Sequence, residues 1–250
     1  GSEMCIRDRT GEALAIDPCD HRKCLSLASE KGWNITQVVN THEHPDHIVG
    51  NGPVIEATGA RLLAHRDAGP LIKGIDVGLQ ADDIVHVGRS VQLRVLDTPG
   101  HTMCHVSLLS ETDPHHFFCG DTVFNAGAGH CRMGGDPVVL YQTFATQIAE
   151  LDDQTRIYPG HEYLLNNLGF TLDREPDNLR AADLIREMGR DYDPNQPLVT
   201  TMGLEREINT FMRLTSPSLI ARLREAFPDM TADPSQQSVF LKLRHLRNHW

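Results

Sequence analysis

The stretch Thr41-His42-Glu43-His44-Pro45-Asp46-His47 holds three imidazoles and two carboxylates within six residues, which is more metal-binding capacity than a fold alone requires. Pro45 disfavours a helical conformation at the residue before it and itself suits the first position of a helix. The sequence therefore predicts a β-type run over 35–40 that leads into this stretch, and a break between the second histidine and Asp46, where a helix begins. His42 and His44 would lie two apart on extended chain with both rings on one side, while the last two residues of the stretch project from the first helical turn.

A zincin site and a histidine-rich surface loop are both disfavoured for this stretch. A zincin needs His-Glu-x-x-His on one continuous helix, whereas here position 46 is Asp and Pro45 interrupts the helix. Three further residues of metal-ligand type, His101, Asp121 and His161, each follow a short apolar run and a glycine. A histidine-rich surface loop would not account for this recurring pattern. Such positions lie at the ends of strands, where a sheet presents catalytic loops.

The four motifs THEHPDH (41–47), DTPGHT (97–102), GDT (120–122) and PGHE (159–162) occur in an order and spacing that resemble the metallo-β-lactamase-fold hydrolases. Within that fold the chain looks most like glyoxalase II, the hydroxyacylglutathione hydrolases, from about Gly11 to the C-terminus. The resemblance implies an α/β fold, in which the αββα metallo-β-lactamase sandwich is followed by a smaller all-helical C-terminal domain.

The pattern of the chain itself indicates two unequal parts, for which 250 residues suffice. Strand-like and helix-like segments alternate up to Tyr158, and no convincing strand follows it. We therefore expect a metal-binding catalytic domain over 1–172 and a helical, substrate-covering domain over 173–250. The family has another strand ahead of the one predicted at 13–16, and since little room exists for it here, we expect the native N-terminal strand to be missing.

Composition excludes several classes of partner. No apolar run approaches the ~20 residues of a membrane span, and a net charge of −11 weighs against nucleic acid, which binds through Lys and Arg. The six cysteines contain no C-x-x-C pair, which indicates a reduced, cytoplasmic chain. We expect a monomer whose partner is a small-molecule thioester, with no nucleic acid and no membrane.

Five histidines and two aspartates exceed what one tetrahedral zinc ion with an open position binds, and they suit two metals that share a carboxylate. The resemblance implies a first metal held by His42, His44 and His101, a second held by Asp46, His47 and His161, and Asp121 as the bridge. Between two cations ~3.5–4 Å apart, a water whose pKa falls to ~7 yields a bridging hydroxide that would attack the acyl carbon. Asp46 and Asp121 are the predicted catalytic residues. We predict zinc, although these ligands also suit iron and manganese.

The resemblance further implies a glutathione thioester as the substrate, such as S-lactoylglutathione. Tyr163 matches a family position that contacts glutathione, and Arg244 and Arg247 match the two carboxylate-binding positions of the basic C-terminal tail. A solvated helix face is the alternative for these two arginines.

The loop after Asp121 departs from the family pattern of Gly-Cys-Gly followed by a basic residue, an aromatic residue and Glu-Gly. Here His130 stands at the basic position and Arg132 where an aromatic is expected, so both are candidate substrate contacts, and recognition of the glutathione backbone is predicted to differ. Further on, the segment Glu205-x-x-x-Asn209-x-Phe211-x-Arg213 also resembles glyoxalase II, but a packing helix accounts for it equally well.

Three alternatives stay open. A lactonase or esterase of the same fold is the nearest. A mononuclear iron persulfide dioxygenase would use only His42, His101 and Asp121 as a facial triad, but that class is normally short. A non-catalytic, metal-stabilised binding protein would be expected to have lost a ligand, and all seven are present. The remaining nine histidines, His105 among them, are interpreted as surface or hydrogen-bonded residues.

Overall fold

A computed structural model describes residues 4–189, 192, 193, 196 and 198–250. Its strands are β1 (Met4–Arg7), β2 (Glu12–Ile16), β3 (Asn34–Val39), β4 (Arg61–His65), β5 (Val77–Leu79), β6 (Ile84–Val87), β7 (Val91–Asp97), β8 (Val106–Ser110), β9 (His116–Gly120), β10 (Val123–Phe124), β11 (Gly127–Ala128), β12 (Arg156–Pro159) and β13 (Thr200–Thr201). They form a sheet in the order β1-β2-β3-β4-β5, a second in the order β13-β12-β9-β8-β7-β6, and a small ribbon of β10 and β11.

The α-helices are α1 (His21–Lys31), α2 (Pro45–Ile48), α3 (Asn51–Thr58), α4 (Pro137–Thr146), α5 (Leu164–Arg174), α6 (Leu179–Met188), α7 (Met202–Ile208), α8 (Pro217–Ala226) and α9 (Gln236–Arg247). Short 3₁₀ turns occur at Arg66–Ala68, Ile148–Glu150 and Thr210–Met212. Within the described part of the chain, no helix is long and apolar enough to cross a membrane.

The predicted four-layer sandwich is confirmed by how side chains alternate along the strands. In β2, Ala13 and Ala15 pack toward α1 and α3, whereas Leu14 and Ile16 pack toward the second sheet. The small residues let the helices approach closely, and the large ones fill the space between the sheets. All four side chains are buried, so the two sheets are enclosed between helical layers.

The helical half packs on the outer face of the second sheet. Phe117 and Ile157 from that sheet share one apolar core with Phe144 of α4 and with Phe240 and Leu243 of α9. Because this core is continuous across both halves, the C-terminal helices are fixed against the sheet whose strand ends carry three of the candidate ligands.

Two sequence expectations are corrected here. The strand predicted at 13–16 is preceded by β1, which pairs antiparallel with β2, so the expectation that little room exists for a strand there is wrong. A strand also follows Tyr158, since β13 pairs with β12 at the edge of the second sheet. Both added strands are short, two to four residues, and strands of that length depend on a neighbour that a local sequence pattern does not reveal. The boundary expected after Leu172 lies inside α5.

Candidate metal centre

The break predicted between His44 and Asp46 is confirmed. His44 is the extended residue that caps α2, with φ −63° and ψ 145°, and Pro45 is the first helical residue. The strand before it, β3, is a central strand of the first sheet. His42 and His44 lie on the loop that follows the carboxyl end of this strand, and His47 projects from the helical turn beyond.

The three histidines predicted for the first metal meet at one point. His42 Nε2 lies 3.1 Å from His44 Nδ1, and His44 Nδ1 lies 3.0 Å from His101 Nε2. Ligand atoms on one tetrahedral zinc ion with bonds of ~2.0–2.1 Å would lie roughly 3.3 Å apart. The three nitrogens thus have the spacing of a coordination shell, and all three residues are buried.

Hydrogen bonds on the far side of each ring show that lone pairs face inward. His44 Nε2 donates to the Met133 carbonyl at 3.0 Å, and His101 Nδ1 donates to the His130 carbonyl at 2.6 Å. The Thr41 hydroxyl donates to a carboxylate and so accepts from His42 Nδ1 at 3.0 Å. Neutral imidazoles held this way present three lone pairs to one another, which form no hydrogen bonds among themselves and which a cation satisfies.

The second group consists of Asp46, His47 and His161. His161 Nε2 lies 3.1 Å from both His47 Nε2 and Asp46 Oδ2. His47 is buried, whereas the Asp46 side chain is 53% exposed, so this half of the centre opens to solvent.

Asp121 lies between the two groups, as a bridging ligand must. Its carboxylate oxygens lie 3.4 Å from His47 Nε2, 3.5 Å from His101 Nε2 and 3.6 Å from His161 Nε2. Oδ1 is buried without a hydrogen-bond partner among the described residues, and a buried carboxylate oxygen left in this way is costly unless an ion satisfies it. The seven side chains therefore fit two metal ions.

Asp17, which directly follows the strand predicted at 13–16, lies beside the candidate ligands and was missed by the sequence analysis. Its carboxylate accepts from the Thr41 amide at 2.8 Å, the Thr41 hydroxyl at 2.7 Å and His47 Nδ1 at 2.9 Å. It thus fixes the His47 tautomer, the usual role of a carboxylate behind a metal-binding histidine. The available signal was its position, because β2 and β3 are parallel and their carboxyl ends meet at one sheet edge.

His105 is a hydrogen-bonded core residue, as interpreted from the sequence. Its ring stacks on His42 with centroids 5.1 Å apart, Nε2 accepts from the Asp121 amide at 3.2 Å, and Nδ1 donates to Thr98 Oγ1 at 2.9 Å. It supports the backbone of the bridging residue and does not join the ligand set.

The electrostatics of the centre favour metal binding. Burial lowers the pKa of His42 well below its ordinary value and that of His101 to about 4, so both stay neutral. Burial also lowers the pKa of His47, but the carboxylates of Asp17 and Asp121 outweigh this effect and raise that pKa to about 11. These carboxylates favour a positive charge beside His47, and a metal ion supplies one in place of the proton.

The five candidate substrate residues are placed unequally. Tyr163 is 44% exposed and stacks on His161 with centroids 5.5 Å apart. Arg247 is half-buried, and its Nη2 donates to Asn167 Oδ1 at 3.0 Å. His130 is half-buried, with its ring centroid 5.0 Å from that of His101, while Arg132 is exposed. Arg244 is only 4% exposed and donates to backbone carbonyls.

Comparison with known proteins agrees with this geometry. A family model described as "Metallo-beta-lactamase superfamily" matches residues 7–161, and one described as "Hydroxyacylglutathione hydrolase C-terminus" matches residues 162–250. Hydroxyacylglutathione hydrolases of Nitrosococcus oceani and a Polaromonas species are 59% and 58% identical over 241 residues, which cover 96% of this chain and 91% of each relative. The chain belongs to the hydroxyacylglutathione hydrolase family.

The fold of this hydroxyacylglutathione hydrolase family member is also shared more widely. The crystal structure of ETHE1 from Myxococcus xanthus superposes with a TM-score of 0.66 at 24% identity, covering 98% of this chain and 92% of that one. Along the chain the two family models meet between residues 161 and 162, directly before α5, rather than at the expected boundary after Leu172.

We predict that Asp17→Asn lowers metal affinity by about 10–100-fold. All three partners of this carboxylate donate hydrogen bonds, so the amide nitrogen of Asn would face a donor. Asparagine tolerates the positive φ of 47° at this position, so the loss comes from the hydrogen bonds. The measurement is competition for zinc with a chromophoric chelator. Asp20→Asn, which keeps an equally good cap on α1, is the matched control, and equal affinity in the two variants would contradict the role of Asp17.

We predict that Gly160→Ala weakens binding of the second metal by at least about tenfold, the scale of outer-shell changes. A Cβ here would lie 2.5 Å from Asp121 Oδ1 and 2.9 Å from His47 Cε1, so it would displace the bridging carboxylate. Metal content per chain after dialysis measures the effect. A Cβ at Gly169 in α5 would meet nothing within 4 Å, so Gly169→Ala should keep the full metal content. Wild-type metal content in both variants would show that Asp121 does not bridge.

Proposed function

We propose that this chain hydrolyses the thioester bond of S-2-hydroxyacylglutathiones such as S-lactoylglutathione, with two metal ions. The observation that carries the proposal is the convergence of seven ligand-type side chains in two groups around Asp121. The relatives at 58–59% identity are named hydroxyacylglutathione hydrolase, which supports the substrate class. A mononuclear triad of His42, His101 and Asp121 would leave the second group without a role.

The donor set suits two divalent ions, for which we propose zinc, while iron and manganese accept the same ligands. When bound, such ions supply an activated water and polarise the carbonyl of the substrate. The protein's part is to fix the inward lone pairs of His42, His44 and His101 and to balance the charge with Asp121. Asp46, the exposed carboxylate of the centre, lies on the side from which a substrate can enter.

The glutathione part of the substrate requires contacts remote from the thioester. Tyr163 is exposed beside His161. Burial, Asp121 and Asp46 raise the pKa of Tyr163, and Arg247 is close enough to act in the opposite direction. We propose that Tyr163 and Arg247 hold the glutathione, with His130 and Arg132 on the opposite loop. A tyrosine hydroxyl and an arginine fork complement an anionic, peptide-like ligand.

We further propose that the enzyme works as a monomer in the cytoplasm without a nucleic-acid partner. All seven ligand-type residues come from one chain. The cytoplasm maintains the reduced glutathione from which such thioesters form, and the net charge of −11 disfavours binding to phosphate backbones.

A hydrolysis panel tests the proposed function. Protein with a measured metal content is assayed with S-lactoylglutathione, an uncharged thioester, a lactone, a β-lactam and a phosphodiester. We expect the highest kcat/KM for the glutathione thioester, loss of activity with chelator, and recovery on adding back about two equivalents of zinc. A preference for the lactone would favour the lactonase alternative, and full activity with a single metal would contradict the dinuclear centre.

We predict that Arg247→Met raises KM for S-lactoylglutathione by about tenfold or more, since a charge-assisted hydrogen bond contributes ~1.5–3 kcal/mol, while kcat changes less. KM for the uncharged thioester should change far less, because that substrate offers no carboxylate. Arg222→Met, which removes an exposed arginine paired with Glu225, is the matched control. Equal effects on both substrates would remove Arg247 from the glutathione site.

A further inference from the structure

Side chains of the helical half donate hydrogen bonds to most of the backbone carbonyls of the loop Phe124–His130. Three described residues of this half donate to the loop carbonyls. Asn209 Nδ2 donates to those of Phe124 (3.5 Å) and Gly127 (3.0 Å), Asn167 Nδ2 to that of Asn125 (2.8 Å), and Arg244 Nη1 to those of Ala128 (2.7 Å) and Gly129 (3.1 Å). Buried carbonyls need such partners. This loop takes them from α5, from the residue after α7 and from α9.

The loop backbone also needs support because it is strained. Ala126 has a positive φ of 56°, which residues with a side chain rarely adopt. Its amide donates to Glu205 Oε2 at 2.8 Å, and the same oxygen accepts from Asn209 Nδ2 at 3.0 Å. Glu205 is fully buried. The Glu205-to-Asn209 segment, singled out in the sequence, therefore fixes the conformation of this loop.

At its far end the loop touches the metal centre. The His130 carbonyl accepts from His101 Nδ1 at 2.6 Å, which keeps the Nε2 lone pair of that ligand turned inward. Gly129 packs just as closely, since a Cβ there would lie 1.9 Å from the Asp121 carbonyl and 3.0 Å from His101 Nδ1. A small displacement of the loop would therefore move both a ligand of the first metal and the bridging residue.

Of the side chains that donate to this loop, Arg244 bonds to the carbonyls nearest to His130, whose own carbonyl accepts from His101. It is 4% exposed, its guanidinium lies over the Phe211 ring at 5.4 Å, and it forms no ion pair with the residues that the structure describes. Its Nη1 donors point at the two carbonyls that precede His130. A residue that clamps a substrate carboxylate needs an accessible guanidinium fork, and this one is turned into the protein.

We infer that Arg244 is a positioning residue of the metal centre: by holding the carbonyls of Ala128 and Gly129 it keeps the His130 carbonyl on His101 and so sets the affinity of the site formed by His42, His44 and His101. The inference rests on the metal centre of the proposed function and is independent of the substrate. It gives the helical half a structural role in metal binding besides that of covering the substrate.

The test compares Arg244→Met with Arg206→Met. Arg206 also lies in the helical half and also donates to two backbone carbonyls of the catalytic half, those of Ala149 and Leu151. Those carbonyls lie in a segment without metal ligands. Arg206 also pairs with Asp153, so its substitution removes the same kind of carbonyl contact together with an ion pair, and it differs from that of Arg244 in what the contacts support. Zinc affinity by chelator competition and the visible spectrum of cobalt-loaded protein are measured together with circular dichroism and kinetics on both thioesters.

We expect Arg244→Met to lower the metal affinity of the site formed by His42, His44 and His101 by roughly tenfold, the lower end of the range for outer-shell partners of ligands, and to alter the cobalt spectrum. Arg206→Met should keep wild-type values for both. Arg244→Lys retains a charged donor and should fall between, which keeps the test decisive where the methionine variant folds poorly. In the kinetics, kcat should fall by a similar factor for the charged and the uncharged thioester.

Wild-type zinc affinity and cobalt spectrum in both Arg244 variants would overturn the inference. So would a rise in KM confined to the glutathione thioester, which is the behaviour of a carboxylate clamp. Neither result would affect the proposed hydrolase function. A wild-type protein that binds no metal at all would overturn that function and this inference together.

Discussion

The buried imidazole nitrogens of His42, His44 and His101, which face one another at 3.0–3.1 Å, impose the constraint on which the rest of the site depends. Nitrogens whose hydrogens are already committed to outer partners repel when they are brought this close, so the fold must hold them rigidly. The chain does so with backbone carbonyls, the Thr41 hydroxyl and the Asp17 carboxylate. The cost of this arrangement is removed by cations, which is why a metal centre accounts for the geometry and a histidine-rich surface does not.

The supporting shell is drawn from the whole length of the chain. Asp17 lies at the end of β2, while Met133 and His130 lie on the loop that follows β11. The helical half contributes to the same shell through Arg244, Asn209 and Asn167. Because the apolar core continues from the second sheet into α9, a displacement of the C-terminal helices would be transmitted to the loop beside His101. On the inference made for Arg244, metal binding depends on how the helical half packs against the second sheet.

Much of the fold and the ligand set could be predicted from the sequence, because these features have local signatures. Pro45 fixes where strand gives way to helix, and each of the downstream ligands follows an apolar run and a glycine at a strand end. The αββα architecture followed from the family resemblance of these motifs, and the structure confirms it through the alternation of small and large side chains in β2. The short strands β1 and β13 escaped prediction because their hydrogen bonds depend on neighbours distant in sequence.

The sequence by itself determined which residues can bind metal, since ligand chemistry is a property of the side chain and motif spacing places it at strand ends. Only the tertiary structure decided which residues orient those ligands, as with Asp17 behind His47 over 30 positions. It likewise turned Arg244, which resembles a substrate contact in the sequence, inward onto carbonyls 115 and 116 positions away. The physical reason is that a buried polar group takes whichever partner the packed core places beside it, and that partner is set by the contact of distant segments.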